Sequence, residues 1–204
     1  MSHSVKDALN HFKKADPVLY KVAVALEVPE LEKSKDYFAS LCREIVGQQL
    51  SGRVARVIFD RFLNLFPKKK ITISRVIKLT PDQLRATGMS WGKVSFIKDL
   101  ADKVKSGKVE LEKFDLLPDE TVLVELVKVK GIGPWTAEMF LMFALARPDV
   151  FSYGDLGLKK GMQKVYNMKK HPTIKQAEKL SKKWSPYRTY ASKILWLSLD
   201  SNNI

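Results

Sequence analysis

A chain of 204 residues, 45% of them hydrophobic, is long enough for one domain, or for two small lobes sharing a core. Its 36 Lys and Arg outweigh 22 Asp and Glu, giving a formal charge of +14 and a pI near 9.7, which points to a polyanionic partner. The single cysteine, Cys42, excludes an intramolecular disulfide and a four-cysteine iron–sulfur cluster, and His3, His11 and His171 have no metal-ligand spacing. No apolar run approaches the ~20 residues of a membrane span. With no apolar signal core at the start either, the profile suits a cytoplasmic bacterial protein or a nuclear eukaryotic one.

Nearly every segment repeats its apolar residues at helical spacing, so the expected fold class is all-α. Short helices are expected over Val5–Ala15 and Pro17–Leu26. Tyr37–Gln48 aligns Phe38, Leu41, Cys42, Ile45 and Val46 on one face, and Val54, Ile58, Phe59, Phe62 and Phe66 do the same after a break at Gln49–Gly52. Ile71–Leu79 has the composition of a strand but is too short and isolated to assign to a sheet. Pro81 opens a helix into Asp82–Ala86, and Trp91–Val104 turns Val94, Ile97, Leu100 and Ala101 inward. Asp119–Val129 and Pro134–Ala146 form a pair of helices, the second apolar almost all round and hence buried. Asp155–Tyr166, Thr173–Trp184 and Pro186–Leu199 complete the chain, with no internal repeat and no low-complexity linker.

The link between the paired helices, Leu126–Val127–Lys128–Val129–Lys130–Gly131–Ile132–Gly133–Pro134–Trp135–Thr136–Ala137, carries the most information. Without Cβ atoms, Gly131 and Gly133 let backbone amides approach a large anion, and Pro134 suits the first position of a helix whose free amides attract phosphate oxygens. An ordinary helix–turn–helix corner with a glycine C-cap accounts for the same pattern. A dinucleotide-binding loop fits poorly, because Thr136 stands at the third glycine position and no strand–helix alternation surrounds it.

This segment, with Gly154–Asp155 downstream, resembles the catalytic region of the helix–hairpin–helix DNA glycosylases, and within them the alkylation-repair branch, the 3-methyladenine DNA glycosylases. The matches run from about Tyr37 to Trp196. The resemblance implies a compact two-lobed helical bundle with a cleft between the lobes, the hairpin at about 119–146, and residues 1–204 as a single glycosylase domain with no separate amino-terminal domain. It implies contacts to double-stranded DNA from Lys130, Gly131, Gly133 and Thr136, and a cation held by the main-chain carbonyls of Val127, Val129 and Ile132. No other cofactor is implied, and the expected state is a monomer without membrane association.

Asp155 opens an amphipathic helix and, taken alone, reads as an N-cap. By resemblance it is the catalytic carboxylate, and the two roles are compatible because a helix start favours negative charge. Breaking an N-glycosidic bond builds positive charge on the deoxyribose, which a carboxylate stabilises while orienting the attacking water. Asp149, six residues earlier, is expected to be structural or surface. Bifunctional members of the superfamily carry a lysine where this chain has Trp135, so the resemblance implies a monofunctional enzyme that leaves the abasic strand intact.

An alkylated purine is already cationic, so the site needs an electron-rich slot for the flipped base more than a strong general acid. Trp135 and Trp196 match slot positions, with Tyr153 and Tyr187 as looser candidates, and core packing is favoured for Tyr187. Met139 and Leu156 stand where relatives have another aromatic. Gly47–Gly52 resembles the loop that props the duplex open, with Leu50 the favoured wedge, Ser51 its neighbour and Gln49 reaching the orphaned base. Thr87–Lys93 resembles a phosphate-facing loop in which Lys93 adds charge. The expected activity is excision of alkylated purines, chiefly 3-methyladenine with 7-methylguanine as a further candidate. A non-catalytic helix–hairpin–helix DNA-binding protein, and the same scaffold acting on another base lesion, are the alternatives.

Overall fold

The structure, a computed structural model, describes residues 4–201. In chain order its helices are α1 (Val5–Ala15), α2 (Pro17–Val24), α3 (Tyr37–Gly47), α4 (Gly52–Leu63), α5 (Ile73–Lys78), α6 (Pro81–Arg85), α7 (Trp91–Lys105), α8 (Asp119–Leu126), α9 (Pro134–Phe143), α10 (Leu156–Val165), α11 (Ile174–Ser181) and α12 (Arg188–Asp200). Single turns of 3-10 helix at Pro67–Lys69, Leu111–Lys113 and Lys182–Trp184 join some of them, and no strand occurs among the described residues. Two compact units result, one spanning Ser34–Leu145 and the other built from the chain up to Lys33 together with the chain from Ala146.

In the unit Ser34–Leu145, α3 and α7 bury the faces that their spacing predicts, Leu41, Cys42, Ile45 and Val46 from α3 and Val94, Ile97, Leu100 and Ala101 from α7. Helix α4 buries Ile58, Phe59 and Phe62, but Val54 in its first turn is exposed and Phe66 is buried beyond its end. Burial raises the Cys42 thiol well above its ordinary pKa, with Asp36 adding to the effect, so it behaves as a small core hydrophobe. The strand-like composition of Ile71–Leu79 gives a helix instead. The Thr72 hydroxyl accepts from the Arg75 amide to start α5, and Lys98 Nζ donates to the carbonyls of Val76, Ile77 and Leu79 at 3.1, 2.8 and 2.7 Å to finish it. A cation from α7 thus satisfies the helix end that a β-rich composition argued against.

The other unit packs Phe12, Leu19, Phe151, Leu158, Met162, Trp184, Tyr190, Ile194 and Leu195 in its core. Its first segment is anchored by Asp16, only 3% exposed, which caps α2 through the Leu19 amide and accepts from Tyr166 Oη (2.8 Å) and Trp184 Nε1 (3.0 Å). A buried carboxylate is tolerated when this many donors surround it. Helices α10 and α12 lie backbone to backbone, since a Cβ on Gly161 would stand 2.6 Å from the Leu195 carbonyl oxygen. Among the described residues no helix is long and apolar enough to cross a membrane, and no cluster of His, Cys, Asp and Glu could hold a metal; His3 lies outside the described residues.

Candidate active site

The link between α8 and α9 is a tight hairpin: Val129 N bonds Leu126 O, and Ile132 N bonds Val129 O at 3.1 Å. Gly131 takes φ +79°, and a Cβ there would fall 2.1 Å from Phe96 Cδ2, so both torsion and packing require glycine. Gly133 differs. It is the N-cap of α9 with φ −94°, and a Cβ on it would meet nothing within 4 Å. Neither the fold's torsions nor its packing asks for glycine there, as suits a surface kept clear for a large ligand. The amides of Gly131 and Gly133 make no hydrogen bond among the described residues, which leaves them available to an anion.

Gln48, at the end of α3, braces this turn: its Nε2 donates to Gly131 O at 2.8 Å and to Thr136 Oγ1 at 3.3 Å. Thr136 is 4% exposed, so its side chain holds the brace from inside, and a DNA contact there falls to its first-turn amide rather than its hydroxyl. Lys93 is corrected in the same way. Its Nζ donates to the carbonyls of Val46 (2.8 Å) and Gln48 (2.7 Å), and burial lowers its pKa. It fastens the last turn of α3 where a phosphate contact was expected. Lys130 keeps an exposed side chain, with its amide held by Asp99 Oδ2 at 2.8 Å.

The loop that α3 and Lys93 support rises to Gln49, exposed and in the left-handed region at φ +57°. A non-glycine residue costs roughly 1 kcal/mol there, a strain common at working loop tips. Leu50 is half-buried beside it, and Ser51 is the exposed N-cap of α4, making no side-chain cap bond. A cavity of about 410 Å³ opens under this loop, lined by Gln48, Gln49 and Leu50, by Arg43, Glu44 and Phe59, and by Trp135, whose ring is 44% exposed. The structure therefore brings the expected wedge loop and the expected slot tryptophan to one cavity within the unit Ser34–Leu145.

In the other unit, Asp155 is the N-cap of α10. Its Oδ1 accepts from the Leu158 amide at 2.6 Å and from Trp196 Nε1 of α12 at 3.0 Å. The carboxylate is half-buried and fixed by two donors, of which the cap was predictable and the indole was not. Trp196 thus orients the carboxylate, where only a wall of the base slot was expected. Gly157 makes this bond geometrically possible: a Cβ on it would lie 2.8 Å from Trp196 Nε1 and 3.0 Å from Asp155 Oδ1. Gly157 and Gly161, four residues apart on α10, were a readable sign of close helix approach.

The loop leading to Asp155 is tied to the start of α12. Asp149 receives both Nε (2.7 Å) and Nη2 (3.0 Å) of Arg188 as well as Ser185 Oγ, and Thr189 Oγ1 accepts from the Val150 amide and donates to the Arg147 carbonyl. Burial alone would raise the Asp149 carboxyl, but the Arg188 and Ser185 hydrogen bonds outweigh it and hold the group below the usual carboxylate range. Asp149 is structural, as its position suggests. Tyr153 also supports the unit: its hydroxyl meets Ser181 Oγ at 3.0 Å and its ring stands edge-on to Phe151 at 5.0 Å. Tyr187 packs near His11 and Tyr190. Leu156 is 55% exposed, and Met139 is buried.

A family model described as HhH-GPD superfamily base excision DNA repair protein matches residues 42–186. The chain is 32% identical over 166 residues to DNA-3-methyladenine glycosylase 1 of Schizosaccharomyces pombe, spanning 80% of this chain and 73% of that protein. It is 30% identical over 193 residues to a DNA-3-methyladenine glycosylase of Bacillus subtilis, covering 90% of this chain and 64% of the relative. Of another Bacillus subtilis relative, YfjP, the chain spans 56% of the length. Among solved structures, it superposes on the Schizosaccharomyces pombe 3-methyladenine DNA glycosylase Mag1 in complex with abasic DNA with a TM-score of 0.86 at 28% identity, covering 97% of this chain and 98% of that one. A DNA-3-methyladenine glycosidase of Bacillus halodurans gives 0.82 at 32% identity, covering 93% and 87%.

Proposed function

Because the chain belongs to the HhH-GPD superfamily of base excision DNA repair proteins, we propose that it is a DNA glycosylase that hydrolyses the N-glycosidic bond of alkylated purines in double-stranded DNA. The observation that carries this reading is the Asp155 carboxylate, fixed at a helix start by the Leu158 amide and the Trp196 indole. Backbone phosphate binding alone needs no such group. In the reaction, Asp155 faces the deoxyribose of a flipped nucleotide, stabilises the oxocarbenium-like transition state and orients water for attack on C1′. The departing alkylated base is neutralised as the bond breaks and needs no strong acid.

Hairpin amides at Gly131 and Gly133 grip the adjacent phosphates, and Leu50 fills the gap left in the stack. The carbonyls of Val127 and Ile132 accept no hydrogen bond among the described residues, while that of Val129 takes the Ile132 amide. Neutral carbonyl oxygens of this kind suit a monovalent cation, which would add positive charge against a DNA phosphate. Trp135 in place of a lysine supports base removal without strand cleavage, since indole cannot form a Schiff base. Incubation with methylated duplex DNA tests the reading. Chromatography should find 3-methyladenine released, with strands that break only after heat or alkali. Retention of every alkylated base, or direct strand cleavage, contradicts it.

A further inference from the structure

Glu44 occupies a position that DNA binding does not explain. It projects from α3 into the cavity under the wedge loop, alongside Trp135, and also lines a smaller cavity of about 150 Å³ with Met139 and Phe143. Trp135, Met139 and Phe143 recur every four residues on α9 and form one row, of which Trp135 and Phe143 are each 44% exposed. Glu44 is the one carboxylate among the residues lining either cavity. Its side chain forms no hydrogen bond or ion pair among the described residues. Arg43 is next in sequence, but its guanidinium lies over the Phe59 ring at 4.3 Å.

A carboxylate here is costly twice. Burial disfavours its charge, raising its pKa against the opposing pull of Arg43, and its charge repels a phosphate backbone approaching the same loop. A chain with a net charge of +14 has no general need of acid at this spot. A ligand that is flat, aromatic and positively charged removes both costs, because the indole face and the carboxylate attract it together. An N3-alkylated adenine is such a ligand, and its exocyclic amine supplies a donor for an acceptor-only carboxylate.

We infer that Glu44 is the specificity residue of this cavity, accepting from the exocyclic amine of a cationic alkylated adenine stacked on Trp135. The inference rests on the function proposed above for the choice of an adenine, though the cavity's affinity for a cationic purine can be measured without catalysis. Neutral bases would gain the stacking and lose the charge pairing. Glu44 would therefore discriminate a charged lesion from an undamaged purine of nearly the same shape.

The test titrates the full-length protein with 3,9-dimethyladeninium, a permanently charged purine, and with neutral 9-methyladenine, following tryptophan fluorescence and heat. Wild type should prefer the cation, and E44Q, equal in size and uncharged, should lose about tenfold or more of that affinity while its affinity for 9-methyladenine stays within about twofold. Equal affinity of wild type for both compounds overturns the inference, as does an E44Q that keeps its preference. Equal wild-type affinities decide against the inference even if the variant folds poorly. Excision of 3-methyladenine from DNA by both wild type and E44Q at one rate would retain the glycosylase and remove Glu44's role. Glu44-dependent binding of the cation without any excision would do the reverse.

Discussion

Replacing Gly157 by alanine perturbs the Asp155 carboxylate, to which we assign the catalytic role, without altering any group proposed to touch substrate. The new methyl would lie 2.8 Å from Trp196 Nε1, 2.9 Å from Trp196 Cδ1 and 3.0 Å from Asp155 Oδ1. Ordinary carbon contacts begin near 3.4 Å, so the indole must retreat by roughly half an ångström, enough to stretch the 3.0 Å bond to Asp155 beyond useful length. Losing a hydrogen bond to a charged acceptor costs about 1.5–3 kcal/mol, and overpacking between α10 and α12 adds a further ~1–3 kcal/mol unless the helices part. The carboxylate keeps its Leu158 cap but loses the restraint from the Trp196 indole. A misplacement of this size lowers turnover by about 10- to 100-fold. Single-turnover base release, with DNA affinity measured in parallel, reads the effect. Gly157→Ala with full turnover and unchanged melting temperature would show that Trp196 does not position Asp155, and would refute the geometric argument.

Gln48→Ala removes two neutral hydrogen bonds to the hairpin, at 2.8 and 3.3 Å, and should lower stability by about 1–2 kcal/mol and weaken binding to undamaged duplex; calorimetry and fluorescence anisotropy check this. Asp149 has a folded pKa held below its unfolded value of about 3.9, so its pairing stabilises the protein at neutral pH and that contribution is lost as pH falls through the folded value. Asp149→Asn should therefore lower the melting temperature at pH 7 but leave it close to wild type near pH 2, and an equal decrease at both would contradict the assignment.

The helical class was legible because apolar spacing on α3, α4 and α7 has one solution; α3 and α7 bury those faces as the spacing requires, and on α4 only Val54, in the exposed first turn, departs from it. Ile71–Leu79 was less legible because its helix is completed by Lys98, a residue about twenty positions away. The first segment gave little signal for the same reason: Asp16 earns its place through Tyr166 and Trp184, some 150 residues downstream. At the site, local pattern gave the Asp155 cap and the glycine turn, while the roles assigned to them came from the family resemblance. Lys93 and Thr136 were misread because a cation and a hydroxyl near a DNA-binding turn look alike whether they face solvent or the protein's own carbonyls and amides. Gln48 went unnoticed beside Gln49, since nothing in two adjacent glutamines tells which one turns inward.

The most direct measurement compares wild type with Asp155→Asn on a duplex carrying one cationic alkylated purine, under single turnover, with binding to an abasic duplex measured on the same samples. Asparagine keeps the size and an acceptor for the Leu158 amide, so the variant should bind the abasic duplex within a few-fold of wild type yet release the base at least about 100-fold more slowly. Base release at the wild-type rate by Asp155→Asn would contradict the assignment of this carboxylate to the sugar.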